Sequence, residues 1–146
     1  MSIPPVHARP LKTTVVSVLT AAVVVGVSVV VGLLLKQSEA GTAFHTSDQV
    51  AIIVLGVLIA VGILGFARPR VDADAERIVV RNVVRTHELR WPVVEAITFP
   101  DGAAYATLQL RDDETVAVLA IQAVDGERAA RAVTGLRALL AADQRR

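Results

Sequence analysis

Hydrophobic residues fill the first half of this chain almost without interruption, and in the second half they alternate with charged ones. TTVVSVLTAAVVVGVSVVVGLLL, Thr13 to Leu35, runs for about 23 residues without a charge, enough at about 1.5 Å per helical residue to cross a hydrocarbon core of roughly 30 Å. VAIIVLGVLIAVGILGFA, Val50 to Ala67, is about 18 residues long, equally uncharged, and meets the same criterion. In lipid each backbone polar group must be satisfied within its own segment, so both stretches are predicted as transmembrane helices. The polar KQSEAGTAFHTSDQ between them, residues 36–49, makes the pair a hairpin with an external loop, and Thr46 with Gln49 fits a capping box at the start of the second helix. Ala22 and Gly26, Ser28 and Gly32, and Gly56 and Ala60 are small residues four apart. Such spacing lets helix backbones approach closely, either within one hairpin or between two copies of the chain.

Beyond Arg68-Pro69-Arg70, where proline disfavours helix at the preceding residue, short apolar runs are separated by turn signals. RIVVRN (77–82), RTHELRW (85–91), VEAITF (94–99), YATLQLR (105–111) and TVAVLAIQ (115–122) are five predicted strands. Pro100-Asp101-Gly102 and Asp112-Asp113 mark two of the turns. The period then changes. Ala129, Ala132, Val133, Leu136, Leu139 and Leu140 recur at helical spacing, with Asp125 as the predicted N-cap. Gly135 inside that pattern costs about 1 kcal/mol against alanine, which points to a close helix-to-sheet contact. The fold class is therefore a membrane α-helical hairpin followed by a small α+β domain of antiparallel strands closed by a C-terminal α-helix.

Charge orients the hairpin. Arg9 and Lys12 precede the first span and Arg68 and Arg70 follow the second, whereas Lys36 in the loop is opposed by Glu39 and Asp48. The positive-inside rule then puts both termini in the cytoplasm of a two-pass protein of the inner (plasma) membrane. Ser38-Glu39-Ala40 has the small-x-small spacing of a signal-peptidase site, but a secretory apolar core is about 7–15 residues and this one is longer. No ionisable residue interrupts either span, which argues against an ion or proton pathway. The chain has 146 residues, is 53% hydrophobic, has no cysteine and carries a net charge of +1. Disulfides and thiolate sites are excluded, and the charge is too close to neutral for a nucleic-acid binder. Abundant Ala and Val, with Arg far exceeding Lys, hints at a high-GC bacterial genome.

RPRVDADAERIVVRN, ELRWPVVEAITF, ATLQLRDDETVAVLAIQ and DGERAARAVTGLRALL together resemble the actinobacterial pleckstrin-homology (PH) domains of the low molecular weight protein antigen 6 type. The resemblance covers about 68–142 and is most specific in R-P-R-V, in W-P-x-V-x-x-I (Trp91, Pro92, Val94, Ile97) and in the closing helix. It implies a PH-like split barrel of two roughly orthogonal sheets capped by a helix and tethered to a bacterial membrane. Residues 1–12 are then a cytoplasmic tail and 143–146 a short C-terminal one. A full PH barrel has seven strands, so Val71 to Asp74 and Asn82 to Val84 are left to supply missing pairing or a bend.

Candidate chemistry is sparse. His7, His45 and His87 fall in a tail, a loop and a strand, without metal-ligand spacing. Asp72, Asp74 and Glu76 contain the Asp-x-Asp fragment of a calcium loop but lack its glycine and distal glutamate, and Asp112, Asp113 and Glu114 read as a solvated turn. No phosphate loop or nucleophile motif stands out, so the expectation is a non-enzymatic protein with no catalytic residues, metal or cofactor. Arg77, Arg81, Arg85 and Arg90 are the candidate set for lipid or partner binding, since basic residues gain about 1 kcal/mol each near an anionic leaflet. Glu76 and Glu88 are interleaved with them. The expected partners are the bilayer and a protein at the cell envelope recruited by the PH-like module. The alternatives are an accessory subunit packed in a larger membrane complex, a homo-oligomer through the small-residue faces, and head-group binding by the first hairpin. Trp91, the only tryptophan, is expected to plug the core or the barrel rim with its indole N–H bonded to the backbone.

Overall fold

The computed structural model describes residues 4–37 and 45–145. They fall into two compact units, residues 13–67 and residues 1–12 with 68–146.

The first unit is the helical hairpin. Helices α1 (Leu11–Gln37) and α2 (Thr46–Leu64) are each long and apolar enough to cross a membrane, and α2 ends in a 3-10 turn at Gly65–Ala67. Two of the predicted small-residue pairs meet inside the hairpin: a Cβ at Gly56 would overlap the Ser28 side chain, and one at Gly32 would lie 3.3 Å from Gln49 Cγ. Ser28 Oγ donates to the Val24 carbonyl at 2.8 Å, which satisfies its hydroxyl within α1. Ala22 and Gly26 do not take part; both are exposed, and nothing lies within 4 Å of a Cβ built on Gly26. The cap of α2 is shifted one residue from the Thr46–Gln49 box. His45, in extended conformation, is the N-cap, and its N–H donates to Asp48 Oδ2 at 2.9 Å. Thr46 is already helical and so cannot cap. Ser38 to Ala40, the cleavage-site pattern, lie outside the described residues.

The second unit is a split barrel of seven strands, not five. Strands β1 (Val6–Ala8), β2 (Arg70–Ala73), β3 (Arg77–Arg81) and β4 (Thr86–Arg90) form one antiparallel sheet in that order. Strands β5 (Val94–Thr98), β6 (Tyr105–Leu110) and β7 (Thr115–Gln122) form the other. The segment expected as an N-terminal tail supplies β1, which pairs Val6 with Ala73, His7 with Asp72 and Ala8 with Val71. The hairpin is thus inserted between the first and second strands of the barrel. It does not simply precede the domain.

Alternation drives the sheets, as period-two patterning requires. Val71, Ala73, Ile78 and Val80 point inward from β2 and β3, and Ala106, Leu108, Leu110, Val116, Val118 and Ala120 from β6 and β7. Helix α3 (Glu127–Asp143) closes the core with all six predicted apolar residues buried, and it runs one residue into the expected C-terminal tail. Asp125 is not its N-cap. Gly126 takes that place at φ +54°, a conformation glycine adopts without steric cost, between a 3-10 turn (Ala123–Asp125) and the helix. The Asp125 carboxylate instead accepts the Lys12 N–H at 3.2 Å, tying the end of the β1 segment to the start of α3. Gly135 makes the close approach its position implies, but to β1: a Cβ there would lie 2.7 Å from Val6 Cγ2.

Candidate functional site

Trp91 opens a 3-10 turn (Trp91–Val93) between the two sheets, with Pro92 fixing φ in its first turn. The indole is fully buried, and Nε1 donates to the Asp74 carbonyl at 2.7 Å. Val94 and Ile97 are buried beside it, while Pro92 is exposed. The Trp-Pro segment is therefore a packing element that locks the sheet corner to the β2–β3 turn.

That turn explains the acidic alternation. Asp74 Oδ1 accepts the N–H groups of Glu76 at 2.8 Å and Arg77 at 3.0 Å, and its own N–H donates to the Arg77 carbonyl at 3.0 Å. These two backbone donors, helped by the Arg77 guanidinium, hold the Asp74 carboxyl below the usual carboxylate range. Asp72 bonds His7 Nδ1 at 2.8 Å across the β1–β2 pair. The described residues contain no group of three His, Asp or Glu placed to hold a metal ion. Asp112 and Asp113 form the β6–β7 turn, where Asp113 is left-handed at φ 64°. His45 caps α2 and His87 lies on β4, so the three histidines stay apart.

The four candidate arginines do not converge. Arg77 and Arg90 are register partners at one end of the β3–β4 hairpin, while Arg81 lies roughly 13 Å along β3, near Arg85 in the turn. Arg77 is ion-paired with Glu88 and lies 3.9 Å from Asp74. A cleft of about 430 Å³ at this end is lined by Arg77 and Arg90 but also by Asp74, Glu76, Glu88 and Asp143, two cations against four carboxylates. It does not attract an anion.

A second cavity, of about 630 Å³, lies between the β1 segment, β7 and the first half of α3, and no sequence pattern signals it. Its apolar wall includes Val6, Leu11 and Ile121, and its charged rim is Arg9, Arg128 and Arg131, with Asp125 as the acidic member. Arg9 is far from Arg128 and Arg131 in sequence, and only β1, which escaped prediction, brings it to them.

A four-plus-three antiparallel split barrel closed by a C-terminal helix, with a tryptophan at the sheet corner, defines a PH-like domain. The chain belongs to the bacterial PH domain family, whose model matches residues 68–139. It is 40% identical over 133 residues to the uncharacterized protein Rv1417 of Mycobacterium tuberculosis (strain H37Rv), covering 91% of this chain and 86% of the relative. The uncharacterized protein Mb1452 of Mycobacterium bovis matches with the same identity and coverage. An alignment of 133 out of 146 residues leaves 13 outside, so the likeness takes in the hairpin as well as the barrel. No solved structure matches the chain significantly.

Proposed function

We propose that this is a two-pass protein of the inner (plasma) membrane, of the low molecular weight protein antigen 6 type, whose cytoplasmic barrel is a non-catalytic docking module for a protein partner at the cell envelope. The observation that supports the two-pass topology is the insertion of the hairpin between β1 and β2. Because these strands pair, a chain that leaves the barrel at residue 12 must return to it at residue 68 on the same side of the bilayer. Two crossings satisfy this and one does not. The helices also leave Val16, Leu19, Leu58 and Val61 about three-fifths exposed, a surface suited to lipid. Basic residues at both crossings favour a cytoplasmic barrel.

The absence of native cysteine makes the topology directly testable. Single cysteines at Ser47 and Asp101 are labelled in intact cells with a membrane-impermeant maleimide. Labelling of Ser47→Cys alone is expected; labelling of Asp101→Cys from outside overturns the topology. Photo-crosslinking from the barrel surface of the full chain then tests recruitment, with a protein adduct expected. Adducts formed only when the crosslinker is placed instead on the exposed Ala22–Gly26 face of α1 favour the accessory-subunit reading or a homo-oligomer.

A further inference from the structure

We infer that the cavity between the β1 segment and α3 is a binding site for the phosphate of an anionic phospholipid. The inference rests on the two-pass reading above. At about 630 Å³ the cavity lies in the range that accommodates small ligands. Arg9, Arg128 and Arg131 line it, and among the described residues none of the three side chains makes a hydrogen bond or ion pair. Arg70 and Arg77 of the same barrel, by contrast, lie within ion-pair reach of carboxylates. Three arginines against Asp125 leave the rim at +2 (3 − 1), and one Asp125 oxygen is already engaged by the Lys12 N–H.

Helix stability does not account for Arg128 and Arg131. They occupy the opening turns of α3, where the positive end of the helix dipole disfavours cations. An arginine fork suits a phosphate, which it can contact through two parallel N–H donors. The apolar wall of Val6, Leu11 and Ile121 separates a phospholipid from free phosphate, since only the former brings hydrocarbon to cover it. Position favours the lipid too. Leu11 is two residues from Thr13, where the uncharged run begins, or about 3 Å along a helix. The polar headgroup layer of each leaflet is about 5–7 Å deep, so on sequence distance alone Leu11 falls at the depth of the headgroups. The acidic cleft around Arg77 and Arg90 has the opposite charge balance and serves as an internal control.

The test uses the full chain in mild detergent and native mass spectrometry with phosphatidylglycerol, phosphatidylcholine or inorganic phosphate as the added probe. The expected result is selective retention of phosphatidylglycerol. Each of Arg9→Gln, Arg128→Gln and Arg131→Gln should weaken it about 5-fold, and the triple variant about 100-fold. Arg77→Gln/Arg81→Gln/Arg85→Gln should stay within about 2-fold of the parent, since those side chains lie outside the cavity. Unchanged emission from buried Trp91 confirms that each variant remains folded. Equal retention by the triple variant, equal retention of phosphatidylcholine, or displacement of the lipid by millimolar inorganic phosphate overturns the proposal. Alkaline carbonate washing of the membranes separates the two failures. Release of the chain sinks the two-pass reading, whereas a chain that stays in the membrane and lacks selectivity sinks the cavity alone.

Discussion

Gly135→Ala is the substitution whose sign depends most directly on the inserted architecture. Alanine in place of a helical glycine ordinarily stabilises by about 1 kcal/mol. Here the new Cβ would lie 2.7 Å from Val6 Cγ2, well inside the roughly 3.5–4.0 Å of an ordinary carbon contact. Valine has a single side-chain torsion and cannot swing clear, and overpacking of this kind costs about 1–3 kcal/mol. The net expectation is a loss of about 1 kcal/mol, or about 4–8 °C in melting temperature for a domain of this size. In a Val6→Ala background the offending methyl is gone, and the remaining Val6 Cβ, at 3.9 Å, is an ordinary contact. Gly135→Ala should then stabilise by about 1 kcal/mol, giving a coupling of about 2 kcal/mol across the double-mutant cycle. The assay is thermal unfolding of the full chain in detergent followed by tryptophan emission. Trp91 is the only tryptophan and is buried in the barrel, so the signal reports the barrel and not the helices. If Gly135→Ala raises the melting temperature equally in both backgrounds, Val6 does not rest on α3 and the N-terminal strand is not part of the barrel.

Trp91→Ala should cost about 3–5 kcal/mol and leave the barrel protease-sensitive, whereas Trp91→Phe should cost less, with about 1–3 kcal/mol of its loss reflecting the Asp74 carbonyl left without a donor. Residues 68–145 expressed alone should aggregate through the bare β2 edge, while the same segment joined to residues 4–9 by a short Gly-Asn turn should run as a monomer on size exclusion. Asp74 has a lowered folded-state pKa, so its contribution is present above its ordinary titration and is lost as pH falls through the lowered value. Asp74→Asn should therefore flatten the acid limb of barrel stability, modestly because the carboxylate faces solvent. Gly56→Val should separate α1 from α2, read as a loss of helical circular dichroism on heating at a lower temperature than the parent.

Features that repeat were legible in the sequence. Two uncharged runs were long enough to read as spans, and Ala129 through Leu140 kept a helical period that the burial of α3 reproduces residue for residue. The Trp-Pro segment was also readable, because one large ring beside a proline in a chain this poor in aromatics has few places to go but the core. Strand β1 was not legible. Val-His-Ala is three residues long, too short to display alternation, and its partner lies beyond the whole hairpin. The cavity was hidden for the same reason, since Arg9 meets Arg128 and Arg131 only once β1 is in place. The arginine set of the β3–β4 hairpin could be found from sequence, but proximity along the chain did not reveal that Glu88 and Asp74 neutralise Arg77. Asp125 was misassigned because a capping side chain and a glycine beside it compete for one position. The positive φ of Gly126 decided between them.

Placing the hairpin between β1 and β2 also orders events during synthesis. The first strand emerges from the ribosome early, yet its hydrogen-bonding partner follows only after both helices have been made, so the edge of the sheet must wait for the whole hairpin. On the two-pass reading, a chain whose second span fails to cross leaves β1 and the remaining six strands on opposite faces of the bilayer. Such a chain cannot complete its sheet, and it exposes the β2 edge and the notch at Gly135 to cellular proteases. On that reading the barrel is a topology check, because only correctly threaded molecules can close it.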